Sequence, residues 1–368
     1  MMLANTAAYT PSVLAPLPTV DIMEVTLRDG SYVVGFKFTA HDTALIASTL
    51  DRVGFRWIEI GHGLGMHASS TGKGEAGASD EEYLAAAAEA ITHAEWGVFL
   101  IPGIGRATDI KLAAQYKASF LRVGCDITDM DAAEPYVRLA KDEGLFVSFN
   151  AMKSYAVSAG DFGRFAAKAQ SWGTDIVCLV DSAGCMYPAE VRGYLQAARI
   201  ESDVALGFHG HDNLSLAMAN TLQAVECGAV LVDSSLQGMG RSAGNAVTEI
   251  LVAVLQKQGL VQHVDLNAAM DAGQQLIAPR NGSRAIDPLA VTAGYARFHS
   301  SFMPKVETYA RRYGLDVRDL IVLLCKESQV DAPDALLDRL SKQLAAGHGP
   351  QREDVPSPAH SPAQAGWF

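Results

Sequence analysis

The stretch DIVCLVDSAGCMYPAEVRGYLQAARIESDVALGFHGHD, residues 175–212, holds one complete unit of the fold. It opens on a run of β-branched and other apolar residues, 175–184, too short and too uniformly apolar for an amphipathic helix. An Ala-rich stretch of helical period follows at 188–200, and a second apolar run comes at 205–212. Near-continuous apolar runs suit parallel strands covered on both faces. Strand, helix and strand in this order predict a βαβ unit.

The same alternation extends in both directions. Apolar runs recur at 21–30, 56–63, 97–104, 120–126, 145–152 and 229–238. Helical stretches fill the gaps at 41–53, 80–94, 107–117, 131–142, 161–171 and 214–226, with one more at 244–257. Eight βα units over about 240 residues predict a (β/α)8 TIM barrel across 20–262. An open doubly wound sheet is the competitor, but no G-x-G-x-x-G follows the first strand. The texture changes at 263–346, where four segments of helical period start on Asp or Ser/Pro; they predict a small all-helical C-terminal domain. Residues 1–19 read as a disordered N-terminal arm and 347–368 as a disordered tail, with Trp367 and Phe368 as docking side chains at its end.

A hydrophobic share of 49% against 19% charged residues supports a large core. The net charge of −12 argues against a nucleic-acid partner, whose phosphates reward basic surfaces. No apolar run approaches membrane-helix length. The first basic residue is Arg28, so a secretory or transit leader is not expected. Cys125, Cys178, Cys185, Cys227 and Cys325 are scattered without a C-x-x-C, which reads as reduced, buried thiols in a cytoplasmic protein.

In a parallel barrel the chemistry sits at the carboxyl ends of the strands. The residues expected there are Arg28-Asp29-Gly30-Ser31-Tyr32, Glu59 and His62, Lys153, Asp181-Ser182, His209-Gly210-His211 and the Gly-rich GMGRSAGN of 238–245. Two histidines at i, i+2 on one strand face the same side, so His209 and His211 can reach one metal. Asp29 would complete a two-His, one-carboxylate set with open positions, suited to a divalent Lewis acid. Arg28 suits a carboxylate or a developing enolate oxygen, or else an ion pair that positions Asp29 or Glu59. Asn245 is a further candidate, as metal ligand or as support for one. GMGRSAGN lacks the spacing of a phosphate-binding loop.

Together, TLRDGS (26–31), IEIGHG (58–63), PGIG (102–105), VDSAG (180–184), HGHDNLSLAMAN (209–220) and GMGRSAGNA (238–246) resemble the pyruvate-dependent metal aldolases of the 4-hydroxy-2-oxovalerate aldolase family. That family lies within a wider group that includes hydroxymethylglutaryl-CoA lyase and isopropylmalate synthase. GYARFHSSF (294–302) and RRYGLD (311–316) resemble the aldolase's helical communication domain, so the resemblance runs from about residue 21 to 345. It implies that Asp29, His209 and His211 hold a divalent cation, usually Mn2+ (Mg2+, Co2+ and Zn2+ being alternatives), and that Arg28 stabilises the pyruvate enolate. Ser182 would seat the pyruvate carboxylate, and Tyr295, or His299 in another alignment, would lie near the acceptor pocket. The implied reaction joins or separates pyruvate and an aldehyde within a 4-hydroxy-2-oxo acid. A homodimer and docking of an acylating aldehyde dehydrogenase on the helical domain are implied as well.

Two residues depart from the family pattern. Tyr32 stands where the aldolases have the histidine base, and a phenol is a poor base at neutral pH unless activated; His62 or a metal-bound water are alternative bases. Lys153 replaces an uncharged residue and offers a cation for a second carboxylate or phosphate, or a surface lysine just beyond its strand. Competing functions are a Claisen-type acyl-CoA/2-oxo acid synthase, a Schiff-base aldolase using Lys153, and a barrel retained as a partner subunit without catalysis.

Overall fold

A computed structural model describes residues 19–282 and 287–347. The expected arm up to residue 18 and the expected tail from 348, with Trp367 and Phe368, lie outside the described residues. Eight parallel strands close a barrel in chain order: β1 (Asp21–Glu24), β2 (Trp57–Ile60), β3 (Glu95–Leu100), β4 (Phe120–Asp126), β5 (Phe146–Met152), β6 (Ile176–Asp181), β7 (Ala205–Gly210) and β8 (Leu231–Ser234). Closure is made by β8 on β1, with Asp21 opposite Leu231 and Glu24 opposite Ser234. Eight helices separate and follow the strands: α1 (Ala40–Val53), α2 (Asp80–Ala90), α3 (Ala107–Gln115), α4 (Glu134–Asp142), α5 (Ala159–Ser171), α6 (Pro188–Glu201), α7 (Ala217–Glu226) and α8 (Thr248–Lys257). The TIM barrel expected from the alternation is therefore present.

Local chemistry sets the helix starts. Thr39, Ser79 and Ser158 cap α1, α2 and α5 by accepting the N–H of the third helical residue, and Pro188 occupies the first turn of α6, where its missing N–H costs nothing. The inner helix faces bury residues such as Ile46, Leu50, Ile110 and Leu195. Each such side chain contributes about 1.5–3 kcal/mol of apolar burial.

Inside the barrel, period-2 alternation builds layers. Met23, Phe120, Ile176 and Leu231 form an apolar plug with Trp57, Phe146 and Ala205 packed against it. Two residues further along the even-numbered strands come Glu59, Arg122, Cys178 and Asp233, all buried. A four-residue layer drawn from alternate strands is the usual filling of this fold, although here it is polar. Arg122 spans it, with Nη1 3.1 Å from Glu59 Oε2, Nη2 2.7 Å from Asp233 Oδ2 and 3.9 Å from Cys178 Sγ.

Six of the eight strands stop short of the apolar runs that announced them, β4 and β5 reaching the ends of theirs. The first run extends to residue 30, but β1 ends at Glu24. The N–H groups of Arg28, Asp29 and Gly30 all turn back to the Val25 carbonyl, and Asp29–Tyr32 forms a turn of 3-10 helix. That coil brings the polar residues of the run over the barrel mouth.

Beyond α8 the chain continues with α9 (Leu266–Ala272) and α10 (Pro288–Ala296). The helical domain was expected from residue 263, but the division into two compact units falls between Ser301 and Phe302. Residues 263–301 belong with the barrel because hydrogen bonds tie them to it. The Asp265 N–H donates to the Val53 carbonyl, Asn213 Nδ2 donates to the Ala290 carbonyl, and Arg297 pairs with Glu190. The second unit contains α11 (Met303–Tyr313), α12 (Val317–Glu327) and α13 (Asp334–Ala345), with Val306, Leu320, Leu324, Leu337 and Leu340 buried. No described helix is long and apolar enough to cross a membrane.

Candidate metal and active site

Asp29 from the turn after β1, His209 at the end of β7 and His211 just beyond it come together. One ligand atom from each lies within 4.8 Å of the others, and all three residues are buried. Neighbouring acceptors fix both imidazoles in one tautomer. His209 Nδ1 is 2.8 Å from Asp233 Oδ2, and His211 Nδ1 is 3.2 Å from the Gly244 carbonyl. Neither oxygen can donate, so Nδ1 carries a proton in each ring, and Nε2 is the nitrogen left to face a metal. A carboxylate or carbonyl behind each histidine is the arrangement that orients metal ligands.

Asp29 and His209 are also joined through the barrel interior by a chain of alternating charge. Arg28 Nη1 lies 2.7 Å from Asp29 Oδ1, and Arg28 Nε lies 2.7 Å from Glu59 Oε2. Glu59 pairs with Arg122, Arg122 with Asp233, and Asp233 holds His209. Of the roles weighed for Arg28 in the sequence, the ion pair is present: its guanidinium positions both Asp29 and Glu59 and also lies 4.8 Å above the Phe99 ring. Burial opposes ionisation of Asp29, but Arg28 beside it holds the carboxyl well below the usual carboxylate range. Burial and Arg241 keep His211 well below the usual imidazole range, hence neutral and able to ligate.

This donor set fits a divalent cation. Two imidazoles and a carboxylate that Arg28 keeps ionised converge, and Asn245 stands beside them. Asn245 Nδ2 donates to Asp29 Oδ2 at 2.8 Å, while its Oδ1 is buried without a hydrogen-bond partner, an oxygen that a cation would satisfy. A positive group already faces the set. Arg241 Nη2 is 2.8 Å from His211 Nε2, so its guanidinium stands at an atom a metal would use. One lone pair serves one partner, so that hydrogen bond and a metal–nitrogen bond are alternatives.

Arg241 also donates to the Ser182 carbonyl at 3.0 Å and to Ser300 Oγ, and its backbone N–H donates to Asp29 Oδ2 at 3.2 Å. Ser182 is buried, and its Oγ accepts the Lys153 N–H at 2.9 Å. Lys153 is no surface lysine: it is 5% exposed, its backbone is left-handed (φ 56°), and its Nζ lies 2.7 Å from Asp126 Oδ2.

Tyr32 is half-buried beside Phe36 and Gly63, and burial pushes its phenol up to about 12, the opposite of what a base requires. His62, the alternative base, is committed elsewhere. Its Nε2 donates to the Gly74 carbonyl, its Nδ1 accepts the Leu64 N–H, and its ring stacks on Phe36. Tyr295 does not join the cluster, being 74% exposed on α10. The residue of that segment that faces the site is His299, whose imidazole is lowered by burial and then by Arg241, Lys153 and His211. His299 Nδ1 accepts the Ser301 N–H, so the ring proton sits on Nε2.

Arg122, Asp233 and Arg241 were not singled out in the sequence, and His299 was named only as the alternative to Tyr295. A signal existed for the first two: a charge in the middle of an apolar run, FLRVGCD or AVLVDSS, in register with inward-facing neighbours. A cavity of about 560 Å3 is lined by residues of the Gly238–Gly244 loop and, among others, by Val33, Asn213 and Val291, and by none of the three ligating residues.

The HMGL-like family model matches residues 19–276. The chain is 37% identical over 325 residues to a 4-hydroxy-2-oxovalerate aldolase of Carboxydothermus hydrogenoformans, covering 88% of this chain and 97% of that protein. It is 38% identical over 314 residues to the enzyme of the same name from Pelotomaculum thermopropionicum, covering 85% and 93%. Among solved structures, the carboxyl transferase domain of Rhizobium etli pyruvate carboxylase, bound to pyruvate and biocytin, superposes with a TM-score of 0.69 at 17% identity, covering 89% of this chain and 61% of that one. The HMG-CoA lyase of Brucella melitensis gives 0.60 at 21%, covering 72% and 99%. At these identities the two structures speak for the fold.

Proposed function

The chain belongs to the HMGL-like family, and from that membership we propose that it is a divalent-metal-dependent class II aldolase that forms or breaks the C–C bond between pyruvate and an aldehyde in a 4-hydroxy-2-oxo acid. The observation that carries the reading is the buried Asp29, His209 and His211 set, with both histidine Nε2 atoms presented by fixed tautomers. These three residues, supported by Asn245, would hold the cation, which supplies Lewis-acid polarisation of the 2-oxo group. Mn2+ is the ion of the family resemblance, and Mg2+, Co2+ or Zn2+ suit the same mixed N/O donors.

The protein's own groups do the rest. Arg28, held by Asp29 and Glu59, places a guanidinium where enolate charge develops, and it needs no reorganisation to do so. Ser182 and Arg241 flank a seat for the pyruvate carboxylate. Tyr32, with its phenol pushed up to about 12, is a hydrogen-bond donor, which suits the synthetic direction, where the aldehyde oxygen gains a proton as the bond forms. Tyr295, exposed on α10, is left out of the acceptor pocket, and His299 Nε2–H takes its place. Lys153 is engaged by Asp126, which favours an ionic over a Schiff-base role. The family resemblance also supports a homodimer and an acylating aldehyde dehydrogenase docked on the helical region, and the five sparse, free cysteines support a cytoplasmic setting.

Deuterium exchange at the pyruvate methyl group, followed by NMR with Mn2+ present, tests the reading without knowledge of the aldehyde. Wild type exchanges, and Asp29→Asn falls to the metal-free background. Tyr32→Phe keeps the exchange but loses about 100-fold in aldol formation. Full metal-dependent exchange by Asp29→Asn would place the site elsewhere.

A further inference from the structure

Lys153 is the ionisable group of the mouth that the pyruvate chemistry does not use. It sits at the carboxyl end of β5, is 5% exposed, and holds a left-handed backbone conformation that a residue with a side chain adopts only at a cost. Its ammonium pairs with Asp126 at the end of β4, whose side chain is 36% exposed, so the pair is open to solvent on the carboxylate side. Such a half-open pair returns little stability for a desolvated ammonium. Geometry ties Lys153 to the active mouth. Its N–H donates to Ser182 Oγ, while Arg241 donates to the carbonyl of the same serine. Lys153 by its backbone and Arg241 by its guanidinium thus meet at Ser182, and His299 feels the charge of both. One carboxylate, that of pyruvate, needs one of them.

We propose that Lys153 is a specificity-determining residue that selects an acceptor carrying its own anion, a carboxylate or a phosphate on the aldehyde portion, with Asp126 as the counter-ion that the acceptor's anion displaces. This rests on the aldolase reading and narrows its substrate class. A purely structural ion pair makes a different forecast. If the pair only braces the β4 and β5 loops, removing either partner harms the enzyme alike. If Lys153 binds the acceptor's anion, the two removals act in opposite directions.

The test uses the full chain loaded with Mn2+ and pyruvate. Aldol formation is measured with glyoxylate against acetaldehyde, and with glycolaldehyde phosphate against glycolaldehyde. The readout is the kcat/KM ratio of anionic to neutral acceptor in each pair. In at least one pair, Lys153→Met is expected to lower the ratio at least tenfold, Lys153→Arg to hold it within a few-fold, and Asp126→Asn to keep or raise it. The pair that responds distinguishes carboxylate from phosphate. A parallel fall of the ratio in Asp126→Asn and Lys153→Met, or no response in either pair, overturns the assignment. If wild type shows no Mn2+-dependent pyruvate exchange, the aldolase reading fails and this inference fails with it. Exchange that persists without any Lys153-dependent ratio removes this inference alone.

Discussion

Single residues in this site act through the neighbour that fixes their state. Asp233 touches no position a substrate would reach, yet it decides which nitrogen of His209 bears the proton and neutralises Arg122. Burial works against its ionisation, but Arg122 keeps it below the usual carboxylate range. Asp233→Asn leaves the buried Arg122 with Glu59 alone, a carboxylate it shares with Arg28, at a cost of about 3 kcal/mol. It also releases the His209 ring, so Mn2+ affinity should fall about 10- to 100-fold. Calorimetric titration with Mn2+ beside a denaturant melt measures both. Unchanged affinity at reduced stability would confine Asp233 to packing. Residue identities at strand ends were legible because His209-x-His211 follows from strand period alone. The neutral state of His211 and the high phenol of Tyr32 were not, because both depend on burial and on Arg241.

Among the elements, the turn after β1 and the loop from β8 to α8 do most to assemble the site. The first coils Asp29 over the mouth, and the second carries Gly240, Arg241 and Asn245 against it. Gly240 is where the loop comes nearest. A Cβ there would stand 2.4 Å from Asn245 Nδ2 and 2.7 Å from Asp29 Oδ2. Gly240→Ala should therefore push the amide and the carboxylate apart, weakening Mn2+ binding at least about tenfold, or roughly 1.4 kcal/mol. The barrel itself should melt close to the wild-type temperature. A titration equal to wild type would show that the loop shifts without disturbing Asp29. The Gly-rich character of 238–245 was visible in the sequence as a tight loop, and its steric reason is this approach. Which of its polar side chains faces the mouth was not visible, because a loop without period sets no face. Arg241 was passed over for that reason, and Tyr295 was preferred to His299 on the family alignment, which does not tell where α10 ends and turns.

At the scale of the molecule, closure of the barrel is a chemical event as well as a geometric one. Glu24 on β1 accepts from Thr26, from the Leu236 N–H and from Thr248, which lie beyond the ends of β1 and β8. Burial raises its carboxyl to about 7 from 4.5. A folded value above the unfolded one gives stability that is complete below pH 4.5 and is lost as pH rises through 7, amounting to about 3 kcal/mol. The thermal midpoint should therefore decline between pH 5 and 8, and Glu24→Gln should flatten that part of the decline. An equal slope in the variant would assign it to other groups. The sequence by itself determined the eight-fold βα alternation and the pair of histidines on β7, because periodicity and apolar runs are local properties. Only the tertiary structure decided which inward groups meet. Asp29 and Asn245 lie 216 positions apart, and Arg122 and Asp233 lie 111 apart. The ring's closure and register bring them within hydrogen-bond distance, and there desolvation makes an unpaired charge costly enough to select its partner.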